Sequence, residues 1–171
     1  LYKHAIAKEL RTSKAVLSTT LESLTEAVVT TDADWKVVYA NPVAKRWLAL
    51  KEGEVLPERL ALTSMQAQES IEFDGKLFHN AQGPACRLKT LVGDLTVKIG
   101  VLTLPKSSPG YTVVMWDITR EYEGQKQAQN VLAAMESLDD GLLLLHPKTG
   151  KILFASKGFE KMTGWKREEV I

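Results

Sequence analysis

Few side chains in this 171-residue sequence carry reactive chemistry, and they are scattered. His4, His79 and His146 are the residues that would serve as metal ligands or general bases, and Cys86 is the single thiol. None of the histidines has a carboxylate or cysteine at metal-ligand spacing, so no metal site is expected. There is no phosphate-cradling glycine loop, no Gly-x-Ser-x-Gly elbow and no nucleophile and base paired by spacing, so no catalytic residue is expected either. A lone cysteine forms no intrachain disulfide and fits a reducing, cytoplasmic setting. The chemistry that remains is hydrogen bonding at a strand-to-helix handover. In Asp117-Ile118-Thr119 a carboxylate and a hydroxyl stand where they can satisfy the orphan amides of a helix start.

The composition narrows the partners. With 22 basic and 21 acidic side chains the net charge is +1, too balanced to attract nucleic acid by bulk electrostatics. A hydrophobic share of 44% is that of a globular protein able to bury a core. The apolar runs, Leu142 to Leu145 among them, are far below the roughly 20 residues of a membrane span, and Leu1 opens no signal peptide. No membrane contact by these residues is expected. Both ends read as cuts in a longer protein, which leaves a membrane anchor open for the parent.

The elements that must position these groups follow from local pattern. The first twenty residues lack proline and glycine and are rich in helix formers. Leu10, Leu17 and Leu24 recur every seven residues, a seam suited to packing on another helix, in a homodimer or on the same domain. Ala27 to Thr31 and Lys36 to Ala40 read as strands joined through Asp32-Ala33-Asp34. Asn41-Pro42 marks a helix start, with asparagine as cap and proline at the first position. Pro57 to Gln68 predicts a helix, and Asp74-Gly75 a small hairpin between Ile71-Glu72-Phe73 and Leu77-Phe78. Ala85 to Leu91, Leu95 to Leu104 and Tyr111 to Ile118 predict three strands. In the second of these, Leu95, Val97, Ile99 and Val101 alternate with Thr96, Lys98 and Gly100, the period of a half-buried antiparallel strand. Thr119 to Leu138 predicts a helix with Thr119 as its cap. Antiparallel strands with helices gathered between them give an α+β fold.

The chain also opens the same pattern twice. Leu21 to Val29 matches Met135 to Leu143 at an offset of 114 residues, Glu22 to Glu136, and Lys36 to Ala40 matches Lys151 to Ala155 at an offset of 115. That period is the size of a domain, well beyond a solenoid unit. The expected organisation is a signalling or dimerisation helix over 1–20, a domain over 21–119, a linker helix over 120–138, and over 139–171 the start of a second, incomplete domain.

The first domain resembles a PAS sensory domain, through Glu26 to Asp32, Val37 to Pro42 and Trp116 to Glu121. The end of the chain resembles the same family through Gly141 to His146, Gly150 to Ala155 and Phe159 to Trp165. The resemblance implies a tandem PAS region, a five-stranded antiparallel sheet with helices on one face, and a cavity between them. Val29, Trp47, Leu48, Met65, Leu88, Val97, Ile99, Val114 and Trp116 are the residues expected around that cavity, whether filled core or ligand pocket. It further implies that Asp117, Ile118 and Thr119 couple the sheet to an output helix. The expected function is a regulatory sensor of a histidine kinase, a cyclic-dinucleotide enzyme or a chemoreceptor, with a downstream effector domain in the same chain. A ligand-free interaction scaffold is the alternative. No cofactor is expected. Haem at His79, or flavin photochemistry at Cys86, are the variants the resemblance brings, but Pro84-Ala85-Cys86-Arg87-Leu88 lacks the asparagine of the reactive-cysteine motif.

Overall fold

The computed structural model describes residue 16 and residues 19–171. The chain divides into two compact units, one ending at Thr119 and the other running over Arg120–Ile171. Of the proposed seam, Leu10 and Leu17 lie outside the described residues. Leu24 is half-buried, just past a helical stretch over 19–23.

In the first unit, seven strands form one antiparallel sheet: β1 (Ala27–Asp32), β2 (Val37–Ala40), β3 (Leu62–Ser64), β4 (Ser70–Ile71), β5 (Cys86–Thr90), β6 (Gly93–Thr103) and β7 (Gly110–Asp117), in the order β2-β1-β7-β6-β5-β3-β4. The α+β class stands, and the expected five strands become seven because the middle of the chain adds two. Two short helices, α1 (Pro42–Leu48) and α2 (Leu56–Arg59), are set between them. Strand alternation sends one residue in two to the core: Val29 pairs with Val113, Ile99 with Met115, and Cys86 with Val97. All six are fully buried. Trp47 and Leu48 of α1, Leu56 of α2, and Phe73 and Phe78 fill the space against them.

The middle of the chain differs from its predicted form. The helix over 57–68 stops at Arg59. Leu60 and Leu62 are both buried, and a spacing of two suits a strand better than a helix. Leu62 accordingly pairs with Leu88 across to β5. The Asp74-Gly75 hairpin does not form either. Ile71 pairs back with Leu62, and Phe73 and Phe78 both turn into the core, so the residues between them close a turn in which the Asp74 carboxylate accepts the Lys76 amide at 2.8 Å.

Asn41 is the polar residue on which the unit is assembled. It is fully buried, and its side-chain oxygen accepts the Ala44 amide at 3.0 Å, capping α1, and the Val28 amide of β1 at 3.0 Å. Its side-chain nitrogen donates to the carbonyls of Glu26 at 2.9 Å and Leu21 at 3.2 Å. The helix then ends at Ala49 in a left-handed conformation (φ 50°), its amide returned to the Lys45 carbonyl.

Helix α3 (Thr119–Ser137) begins on the last residue of the first unit and otherwise belongs to the second, with β8 (Leu143–Leu145), β9 (Ile152–Ala155), α4 (Lys157–Thr163) and α5 (Arg167–Val170). The second unit repeats the opening of the first in register as well as in pattern. Val29 pairs with Ala40 and Leu143 with Ala155; both ladders carry an irregularity one residue later, after Thr30 and after Leu144. Ser156 stands where Asn41 stands. It is fully buried, caps α4 by accepting the Phe159 amide at 3.2 Å, accepts the Leu142 amide at 3.0 Å and donates to the Asp140 carbonyl at 3.4 Å. The helix ends at Gly164, again left-handed (φ 78°).

Removing the Asn41 side chain orphans buried backbone groups on two elements. A lost cap costs about 1 kcal/mol and each unpaired buried group about 1–3 kcal/mol. Asn41→Ala is therefore expected to lower stability in urea unfolding by about 2–4 kcal/mol, while Asn41→Ser, the side chain used in the second unit, recovers part of the loss. Equal stability of the alanine variant and the parent would contradict this role.

Candidate functional site

The sheet ends in a handover that the sequence predicts in outline. Asp117 closes β7, and its carboxylate accepts the Thr119 amide at 2.9 Å and the Thr119 hydroxyl at 2.5 Å. The Thr119 oxygen in turn accepts the amide of Thr96 in β6 at 2.9 Å, and the Ile118 amide donates to the Thr96 carbonyl at 2.8 Å. Asp117 thus satisfies the first amide of α3. Thr119, predicted as the cap, faces the other way and holds the neighbouring strand. Thr96 is the partner that sequence reading missed. It takes part through its backbone, and no side-chain pattern marks a backbone partner.

Of the residues placed around a cavity, Val29, Trp47, Leu48, Leu88, Val97 and Ile99 meet in the packed core. Met65 does not join them; it is half-buried in the loop after β3. Val114 and Trp116 lie on the opposite face of the sheet, because Val113 and Met115, one residue off in each case, take the inward positions. There Trp116 covers Gly100 so closely that a Cβ at that glycine would come within 2.9 Å of the indole. With Asn80, Ala81, Leu102 and Val114 these residues line a shallow apolar groove of about 220 Å³.

A larger groove, of about 810 Å³, opens at the end of the sheet near the β1–β2 turn. Trp35 forms its wall. The indole stacks on Tyr111 at 4.0 Å and 5° and meets the edge of Phe73 at 5.2 Å and 86°. Gly75 is needed to close the turn over it, since a Cβ there would fall 2.5 Å from the Trp35 ring. Glu72, Asp74, Lys76 and His79 stand around the rim. Trp35 and Tyr111 are remote in sequence and come together because Tyr111 pairs with Thr31 at the end of β1, next to the turn that carries Trp35.

Cys86 is fully buried at the first position of β5, its thiol faces the Val97 carbonyl at 3.9 Å, and burial pushes its pKa up to about 11. Burial and a disfavoured thiolate make it a poor nucleophile. His79 is exposed on the open rim beside Lys76 and Asp74, outside any enclosed apolar chamber. Among the described residues no group of three or more His, Cys, Asp or Glu side chains is placed to hold a metal ion. No helix of the described residues is long and apolar enough to cross a membrane.

The PAS domain family matches residues 130–171. No curated protein matches the chain. Among solved structures, the E. coli DhaR(N)–DhaL complex is similar at 17% identity and a TM-score of 0.46, over 67% of this chain and 39% of that one. The chain therefore spans well under half the length of that relative. The PAS domain of an HTR-like protein from Haloarcula marismortui is similar at 15% identity and a TM-score of 0.48, over 67% of this chain and 99% of that one. The PAS domain of nitrogen regulation protein NR(II) from Vibrio parahaemolyticus gives 17%, 0.37, 59% and 96% for the same quantities.

Two outcomes follow for these sites. The raised pKa of Cys86 means that the folded state retains the thiol proton more tightly than the unfolded chain, so this contribution to stability is full below the ordinary thiol value of about 9 and is lost as pH rises toward about 11. Iodoacetamide at pH 8 should modify the native protein more than about tenfold slower than the urea-unfolded chain; equal rates would contradict the buried thiol. Gly75→Ala should displace the Trp35 indole from Tyr111 and change the intrinsic fluorescence, with a destabilisation of about 1–3 kcal/mol from overpacking; an unchanged spectrum would mean that the turn does not close on the ring.

Proposed function

We propose, from the match of residues 130–171 to the PAS domain family, that the chain is a regulatory sensor region of a multidomain signalling protein, with two PAS-type units in series. The first unit's sheet acts on α3 through Asp117, Ile118 and Thr119. The observation that carries this reading is the joint hold of Asp117 and Thr96 on Thr119. Because β6 and β7 grip the same threonine, a change in their spacing or twist bears directly on Thr119, the first residue of α3. A simple cap would need the Asp117 contact alone.

The effector on this reading is a histidine kinase, a cyclic-dinucleotide enzyme or a chemoreceptor domain in the same polypeptide, working in the cytoplasm as a homodimer. The packed core and the inert Cys86 support sensing without a resident haem or flavin. The groove at Trp35 supports a small molecule acting from outside the core: it joins an aromatic wall to a few polar groups, the usual make-up of a ligand site. A scaffold that only sets dimer geometry would need no such groove.

Amide hydrogen exchange tests the coupling. Asp117→Ala should speed exchange at the Thr119 amide by about tenfold, the equivalent of about 1.4 kcal/mol, and Thr119→Val should speed exchange at the Thr96 amide by a similar factor. Unchanged protection at both places would remove the basis for the reading.

A further inference from the structure

Helix α3 runs for 19 residues without a single buried one. Packing therefore does not hold it along its length, and its ends must be fixed by specific groups. The start is held by Asp117 and Thr119, as above. The other end is held by Glu136. One oxygen of its carboxylate receives the Arg167 guanidinium in a very short contact, and the other receives the Lys157 amide at 3.4 Å. The Arg167 bond, the largest influence on this carboxyl, keeps it below the usual carboxylate range.

A single half-buried ion pair contributes little alone, but Arg167 is committed to more than one partner. Its Nε donates to the Ala155 carbonyl at the end of β9 at 2.9 Å, its guanidinium lies over the Phe154 ring at 5.1 Å, and its backbone amide donates to Glu160 of α4 at 2.7 Å. One side chain therefore bears on β9 and the last turn of α3, while its backbone is tied to α4. The Lys157 amide belongs to the first turn of α4, immediately after the buried Ser156. Planar, forked guanidinium geometry is what lets one residue do this, and an ammonium cannot replace it.

We propose that Glu136 and Arg167 form the receiving end of α3, the latch through which a change at the start of that helix enters the second unit. This rests on the coupling reading given above and extends it to residues outside the Asp117–Thr119 handover. Arg167 and Glu136 are positioning residues here: they transmit the placement of α3 to β9 and α4. An unlatched α3 would be fixed at one end only, and motion at Asp117 would be lost along an unburied helix.

The test is residue-resolved amide exchange on the whole chain, comparing the parent with Asp117→Ala, Glu136→Gln, Arg167→Lys and the Asp117→Ala/Glu136→Gln double variant. Glu136→Gln is expected to speed exchange at Ala133 to Ser137 and at Lys157 by about tenfold, with the Leu143 and Ala155 ladder amides still protected. Arg167→Lys should give the same pattern, since the lysine retains the charge and loses the fork. Asp117→Ala should change the Lys157 and Arg167 amide rates by about threefold or more when Glu136 is present, and by less than about twofold in the Glu136→Gln background, a non-additivity that marks coupled sites. Wild-type exchange in Glu136→Gln, or an equal response to Asp117→Ala in both backgrounds, would overturn the latch. If Asp117→Ala loosens the first turn of α3 while the second unit is unmoved in every background, the latch fails and the coupling reading survives. If even that first turn is unmoved, the coupling reading is what fails.

Discussion

A single buried amide, that of Asn41, sets the geometry from which the first unit is built. It makes four hydrogen bonds to four different backbone groups, on the segment before β1, on β1 itself and on α1. An asparagine side chain has two donors and two acceptor sites, so nothing is left unsatisfied. Burying a polar group with unmet valences is costly, and here that cost enforces register, because a one-residue slip of β1 would take the Val28 amide from its partner and leave the Asn41 oxygen with the Ala44 amide alone. The ladder from β1 to β7, and through it the placement of β6 and the Thr96 backbone, depends on that register.

The same solution recurs in the second unit with a smaller side chain. Ser156 reaches the Leu142 amide, the Phe159 amide and the Asp140 carbonyl, but a hydroxyl has one donor hydrogen and cannot also hold the incoming helix as Asn41 holds the Leu21 carbonyl. That task passes to Glu136 and Arg167. The two units are thus equivalent where strand meets helix and different in how they hold the helix that enters them.

Legibility in the sequence followed the range of the interactions. Strands β1, β2, β5, β6 and β7 could be read from β-branched runs and, in β6, from alternation, and the start of α1 from Asn41-Pro42, because those signals are local. The repeat was legible from apolar order, and extending the match from Ala40 and Ala155 by one residue reaches Asn41 and Ser156, two good caps. The middle of the chain was not legible: Leu60, Leu62 and Met65 can be placed on a helix face, and only the pairing of Leu62 with Leu88 decides for a strand. The faces of β7 were misassigned by one residue, which inverts every side chain in a strand and placed Val114 and Trp116 inside. Asp117 and Thr119 were visible as residue types, but the amide of Thr96 was not. Arg167 lies 31 residues from Glu136, and no local pattern connects them.

The end of α1 carries a consequence for the protein's evolvability. Ala49 occupies a left-handed conformation that Gly164 occupies at the equivalent point of the second unit. For an alanine this conformation is strained by roughly 1 kcal/mol or more, a cost that glycine avoids. The first unit therefore has untapped thermodynamic headroom at an exposed position, reachable by one substitution that its own second half already displays, and a lineage burdened by destabilising mutations elsewhere could draw on it without touching the core or the handover to α3.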